Sequence, residues 1–241
     1  MENCFQDVLW LLAISTPFFF LLKTLANVRF DEPPAYRHPP EANNDLILQL
    51  YNTARELYEQ GQYQAAAATA RVVMESERSQ SLALKAANLA GLCELASGDL
   101  QEAETILRQG LEQVTQCSEA SHQEMLVVRL MFLTSLALLY IREERDEQAW
   151  AMLNEALPLA EAQTAFKDEP EFKTQVLGPI YHYLGVLHED GLDWSVAAGY
   201  YQKELAIWPA DEESFSERVE AAQHAYMRCA RNAAWKMFDG I

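Results

Sequence analysis

LAGLCELASGDLQEAETILRQGLE, Leu89 to Glu112, decides how the chain is read. Leu89, Leu92, Leu95 and Ala96 make a helical apolar stripe that stops at Ser97-Gly98-Asp99, and a second stripe follows through Leu100, Ala103, Ile106, Leu107 and Leu111. Gly98 can take the left-handed conformation that ends one helix, and Asp99 can cap the next. The stretch therefore predicts two antiparallel helices joined by a tight turn. Small side chains at Gly91 and Ala103 would let their backbones approach closely.

The same layout recurs on both sides. Upstream, Ala54, Gly61 and Ala66 stand where Gly91, Gly98 and Ala103 do; downstream come Ala137 and Ala149, then Gly185 and Ala197. Each small residue is followed by a turn and, twelve positions on, by alanine. The third hairpin has Glu144 where the turn glycine stood, and the fourth reaches its turn through Glu189-Asp190-Gly191 and closes on Pro209. This grammar resembles the tetratricopeptide repeat. The resemblance implies an all-α, right-handed superhelix of about four hairpins. The small residues are spaced 37, 46 and 48 apart, against roughly 34 in that family. Longer helices or connections are expected between Gln113 and Val128 and between Ala160 and Gln175.

The predicted organisation is an anchor helix over 1–30, a Pro-rich linker over 31–45, a repeat domain over 46–209 and a capping helix over 210–241. Within the repeat domain the hairpins are expected at about 47–78, 84–116, 126–162 and 176–209. The anchor is read from VLWLLAISTPFFFLLK, Val8 to Lys23, uncharged from Val8 to Leu22, with Val8, Trp10, Leu12, Phe18, Phe19, Phe20 and Leu22 as its apolar contacts. It approaches the length of a bilayer span. Its N-terminal flank holds Glu2 and Asp7 rather than the basic residues of a signal peptide. Lys23, Arg29 and Arg37 follow it, which predicts a repeat domain on the cytoplasmic or stromal side. The alternative is a soluble chaperone or regulator whose own hydrophobic N-terminus fills its groove until a client displaces it. After Pro209, Phe215, Val219, Ala222, Tyr226, Ala230 and Ala233 keep helical spacing, which suits a helix that covers the last open face of a stack.

Half of the residues are apolar, with few Gly and Pro, and the net charge is −18. Such acidity repels phosphate backbones, so nucleic acid is not an expected partner. Cys4, Cys93, Cys117 and Cys229 form no paired-ligand spacing, and Cys93 and Cys229 fall in apolar helical patterns, where a thiol packs as a small hydrophobe. No phosphate-binding glycine loop, zinc-protease motif or nucleophile elbow occurs. His182 and His188, six apart, do not share a helical face. Neither catalysis, a cofactor, a metal nor a small-molecule substrate is expected. What remains is a surface for protein partners: the resemblance places first helices along a concave groove, lined by Tyr51, Arg55, Tyr58, Lys85, Asn88, Leu92, Leu95, Leu138, Ile141 and His182. The expected partners are a peptide or amphipathic helix in the groove and other subunits of a membrane complex, with the membrane itself met through the N-terminus. The grip by which co-chaperones of this family hold carboxylate tails is not rebuilt, because Leu89, Met131 and Ser135 stand where polar or basic groups would be needed.

Overall fold

Seven residues after each small residue the backbone turns left-handed: Gly61 (φ 74°), Gly98 (φ 93°), Glu144 (φ 57°) and Leu192 (φ 60°). In every case that residue's N–H donates to the carbonyl three back, and the next N–H to the carbonyl five back. The pairs are Gly61–Tyr58 and Gln62–Leu57, Gly98–Leu95 and Asp99–Glu94, Glu144–Ile141 and Arg145–Tyr140, Leu192–Glu189 and Asp193–His188, all at 2.8–3.2 Å. This ties off the carbonyls of the first helix. The matched alanine then opens the second helix, its N–H donating four residues back: Ala66 to Gln62, Ala103 to Asp99, Ala149 to Arg145, Ala197 to Asp193.

The structure is a computed structural model that describes residues 41–76, 79–116, 122–163, 169–208 and 216–239. Among them there is no strand. The helices are α1 (Glu41–Glu59), α2 (Tyr63–Met74), α3 (Gln80–Ser97), α4 (Leu100–Gln116), α5 (His122–Arg142), α6 (Asp146–Glu161), α7 (Gly178–Asp190), α8 (Trp194–Leu205) and α9 (Ser216–Asp239). They pair as α1/α2, α3/α4, α5/α6 and α7/α8, with α9 against α8. The anchor segment, the prolines of the linker and Pro209 lie outside the described residues. Glu41 already begins α1, so the end of the stretch predicted as linker is helical.

The small residues face their partner helix. A Cβ added at Gly91 would lie 2.6 Å from Leu107 Cδ2 of α4, and one at Gly185 would lie 2.7 Å from Tyr201 Cε1 of α8. Both targets are sixteen residues on. Ala54 and Ala137 have Ala70 and Leu153 at that offset, all fully buried, as are Ala66, Ala103, Ala149 and Ala197. One core joins hairpin two to hairpins three and four; a second joins hairpin one to α3 through Ala86, Ala90 and Cys93; a third joins α8 to α9. Each unit thus buries its face against its sequence neighbour, as a linear repeat array requires. Burial pushes the Cys93 thiol up to about 12 and the Cys229 thiol to about 11, so both pack as apolar groups.

Long spacing has two visible causes. α5 reaches back to His122, and its apolar run Gln123–Arg142 is long enough to cross a bilayer by length and composition. Yet Val128, Leu130, Phe132, Leu133, Leu136 and Leu139 are all buried, because this helix lies at the centre of the stack with neighbours around it. Ahead of α7, a turn at Pro170–Phe172 runs into a π-helical turn at Lys173–Leu177, which adds residues without breaking the axis.

In the fourth hairpin the turn differs from expectation: Gly191 has φ −75°, and Leu192 is left-handed. Glu144 and Leu192 hold a conformation costing an ordinary residue roughly 1–2 kcal/mol. Arg145, next to Glu144, compensates by forking onto Glu104 of α4 (2.9 and 3.0 Å) with its guanidinium 4.4 Å from the Tyr140 ring centroid. Replacing Glu144→Gly or Leu192→Gly, both exposed, is expected to raise unfolding free energy by about 1 kcal/mol each in urea titrations. Loss of stability in both variants would refute the shared left-handed turn.

Candidate functional site

A helix presents one stripe every three or four residues. On α1, α3 and α5 that stripe converges. Tyr51, Arg55 and Tyr58 of α1, Lys85, Asn88 and Leu92 of α3, and Met131, Thr134 and Leu138 of α5 line one cavity of about 270 Å³. Counted from the small residue of each hairpin, three positions back and one forward give Tyr51/Arg55, Asn88/Leu92 and Thr134/Leu138. The common register puts them on one concave face.

The floor is fixed by hydrogen bonds. Asn88 is buried, and its amide donates to Ser135 Oγ at 2.9 Å; the Thr134 hydroxyl donates to the Leu130 carbonyl at 2.7 Å. These bonds satisfy polar groups that would otherwise be costly to bury. Lys85 sits at the rim, 3.1 Å from Glu124, whose carboxyl is held below the usual range by hydrogen bonds from Ser81 and then Lys85. Burial raises the Tyr58 phenol, so it stays protonated and able to donate.

Three predicted lining residues fall elsewhere. Leu95 is 2% exposed and belongs to the core, and Arg142 of α5 donates to its backbone carbonyl at 2.9 Å. Ile141 packs against the same core and does not line the cavity. His182 keeps the concave register but does not line this cavity. It lines a separate, open depression with Val186, Glu189 and Arg228, and its Nδ1 is 3.0 Å from the buried Glu204 carboxylate.

Sequence reasoning also missed residues. Gln175, Pro179 and Tyr183 reach the cavity from the π turn and α7, and Arg218 reaches it from α9. Burial, with Tyr58 nearby, raises the Tyr183 phenol above the ordinary tyrosine range. No pattern singled out Arg218: the stripe read for this helix runs through Val219, Ala222 and Tyr226. Among the described residues, no group of three His, Cys, Asp or Glu is placed to hold a metal ion.

These features define a class: a stack of tetratricopeptide-like hairpins with a groove on its inner face and a helix closing its C-terminal end. Comparison with solved structures gives the same fold. A Podosopora anserina protein described as a kinesin light chain, with nearly identical TPR-like repeats, superimposes with a TM-score of 0.55 at 19% identity, over 84% of this chain and 91% of that one. BtubC (BKLC) from P. vanneervenii superimposes at 0.51 with 16% identity, over 80% and 81%. No family model and no curated protein matches the sequence.

Proposed function

We propose that this chain is a membrane-tethered adaptor, with the groove on α1, α3 and α5 holding a segment of a partner protein. The observation that carries the reading is the cavity itself. Tyrosine and aliphatic side chains from three successive first helices converge there over a floor whose polar groups are already paired. Such a surface offers apolar anchoring with few fixed polar contacts, the usual composition of a peptide-binding groove. The fold likeness supports a scaffold for protein partners. The tether is proposed from the uncharged stretch Val8–Leu22, with the repeat body on the cytoplasmic or stromal side. Confinement to one membrane would raise the effective concentration of co-resident partners, so modest groove affinity would suffice for assembly or operation of a membrane complex.

Two measurements on the full chain test this. In cell fractionation it should remain with membranes after a high-salt wash and enter solution only with detergent, and deletion of residues 1–30 should release it. Recovery of the intact chain in the supernatant without detergent defeats the tether. Proximity labelling should lose a defined set of neighbours when Tyr51→Ala and Leu92→Glu are combined, with helicity retained. An unchanged set moves the binding surface off the groove.

A further inference from the structure

We infer that the outward face of α9 pairs with the same face of a second copy of this chain, antiparallel about a two-fold axis. The inference does not depend on what the groove holds.

α9 covers α8 with Ala222, Ala225 and Cys229, all buried. The opposite side of the helix carries Glu217, Glu220, His224, Met227, Arg231 and Trp235, all exposed. Met227 at 66% and Trp235 at 64% are the two most exposed large apolar side chains among the described residues. A cap whose work ended at α8 would present a polar outer side. Instead a thioether and an indole stand about two turns apart on it, exposing apolar area that burial would stabilise.

The order of charge says what covers them. Glu217 and Glu220 open the stripe, and Arg231 stands about three turns after Glu220. None of the three has an ion-pair partner among the described residues. A stripe that runs from acidic to basic is its own complement when reversed. With Glu220 opposite the partner's Arg231, the axis crosses at the level of Ala225 and Tyr226. Met227 then meets the partner's His224, and Trp235 lies over the partner's first turn. Each contact occurs twice, as a two-fold interface requires. A parallel pair would set Glu220 against Glu220 and Arg231 against Arg231. An anionic bilayer surface would be repelled by Glu217 and Glu220.

The net charge of −18 opposes the approach of two copies. At physiological ionic strength that field is screened beyond about 8 Å, whereas charges paired across the contact lie inside that distance. One face of a 24-residue helix is a small interface, in the class of weak, reversible complexes.

Sedimentation equilibrium of the full chain in density-matched detergent tests this. Several detergent concentrations separate a dimer from two chains sharing a micelle by chance. The protein mass should rise from 27.4 kDa toward twice that value as the chain is concentrated. Met227→Glu combined with Trp235→Glu should weaken association at least about thirtyfold, as loss of an aromatic anchor implies. Glu220→Arg and Arg231→Glu should each weaken it about tenfold, because the axis applies each change twice. Together they should restore it, since the reversed stripe is again its own complement. Restoration cannot arise within one helix, where residues eleven apart do not meet. All the changes are at exposed positions, and unaltered melting midpoints at dilutions where the parent is monomeric exclude a folding effect.

A mass of 27.4 kDa at every concentration would overturn the proposal and leave the face to a different protein or to the membrane. An undiminished dimer in the Met227→Glu, Trp235→Glu variant would place the contact elsewhere on the chain. Failure of the combined charge reversal to restore association would overturn the antiparallel register.

Discussion

Gly110→Val is expected to destabilise the protein by about 3 kcal/mol, because it strikes the joint between hairpins two and three where nothing can move aside. A Cβ at Gly110 of α4 would lie 2.2 Å from Phe132 Cζ and 2.3 Å from its Cε1. Phe132 is 0% exposed, at the centre of the largest core cluster. The ring has no solvent to swing into, so α4 must lift from α5 or the ring must leave its rotamer. Helix propensity works slightly in favour of the substitution, which makes a steric cause identifiable. Adding Phe132→Leu should recover part of the loss, with a coupling of at least about 1 kcal/mol in a double-mutant cycle. Gly199→Ala on α8, where an added Cβ meets nothing within 4 Å, should be neutral or stabilising. If Gly110→Val melts like the parent, α4 and α5 are not packed as described.

The hairpin pattern was open to sequence reading because it depends on short offsets within each repeat. The small residue, the turn seven on and the alanine twelve on are all set by one helix end and the start of the next. Glu144 shows the limit of residue type: the turn is left-handed there without glycine, because the Arg145 fork onto Glu104 and the Tyr140 ring holds the geometry in place. At Gly191–Leu192 the register predicted the left-handed position and the amino-acid type pointed one residue too early. The groove was legible on α1, α3 and α5, where each first helix repeats the same face. It became illegible where that repetition stops. Leu95 packs into the core shared with the next hairpin, and His182 faces a separate depression beside α8 and α9. Arg218 enters from a helix outside the repeat. Each of these depends on contacts between units, which no local pattern encodes.

Ending the chain at Trp208 should damage the stack locally and in one direction. α9 covers hairpin four with Ala222, Ala225 and Cys229, against Ala197, Ala198 and Tyr201 of α8. It also supplies Arg228, whose guanidinium meets both oxygens of Glu189 at 2.5 and 2.8 Å, while Glu189 accepts the Tyr201 hydroxyl at 3.0 Å. Arg228 holds the Glu189 carboxyl below its ordinary range, Tyr201 helps, and burial opposes them. Without α9, that carboxylate loses its cation, and an apolar face with a buried tyrosine opens to water. In a linear array each unit is stabilised by its neighbour, so the loss should fall on α7 and α8 and fade toward α1. Hydrogen exchange should show residues 178–205 opening in the truncated chain, with α3 and α5 still protected, and the melting midpoint should drop by about 10 °C. Arg228→Glu is the milder form of the same insult. It sets a second carboxylate against Glu189, so its defect should shrink as pH falls through the carboxylate range and both groups take up protons. Uniform loss of protection across all hairpins would mean one cooperative globule, and unchanged exchange in α7 and α8 would mean that α9 is not the cap.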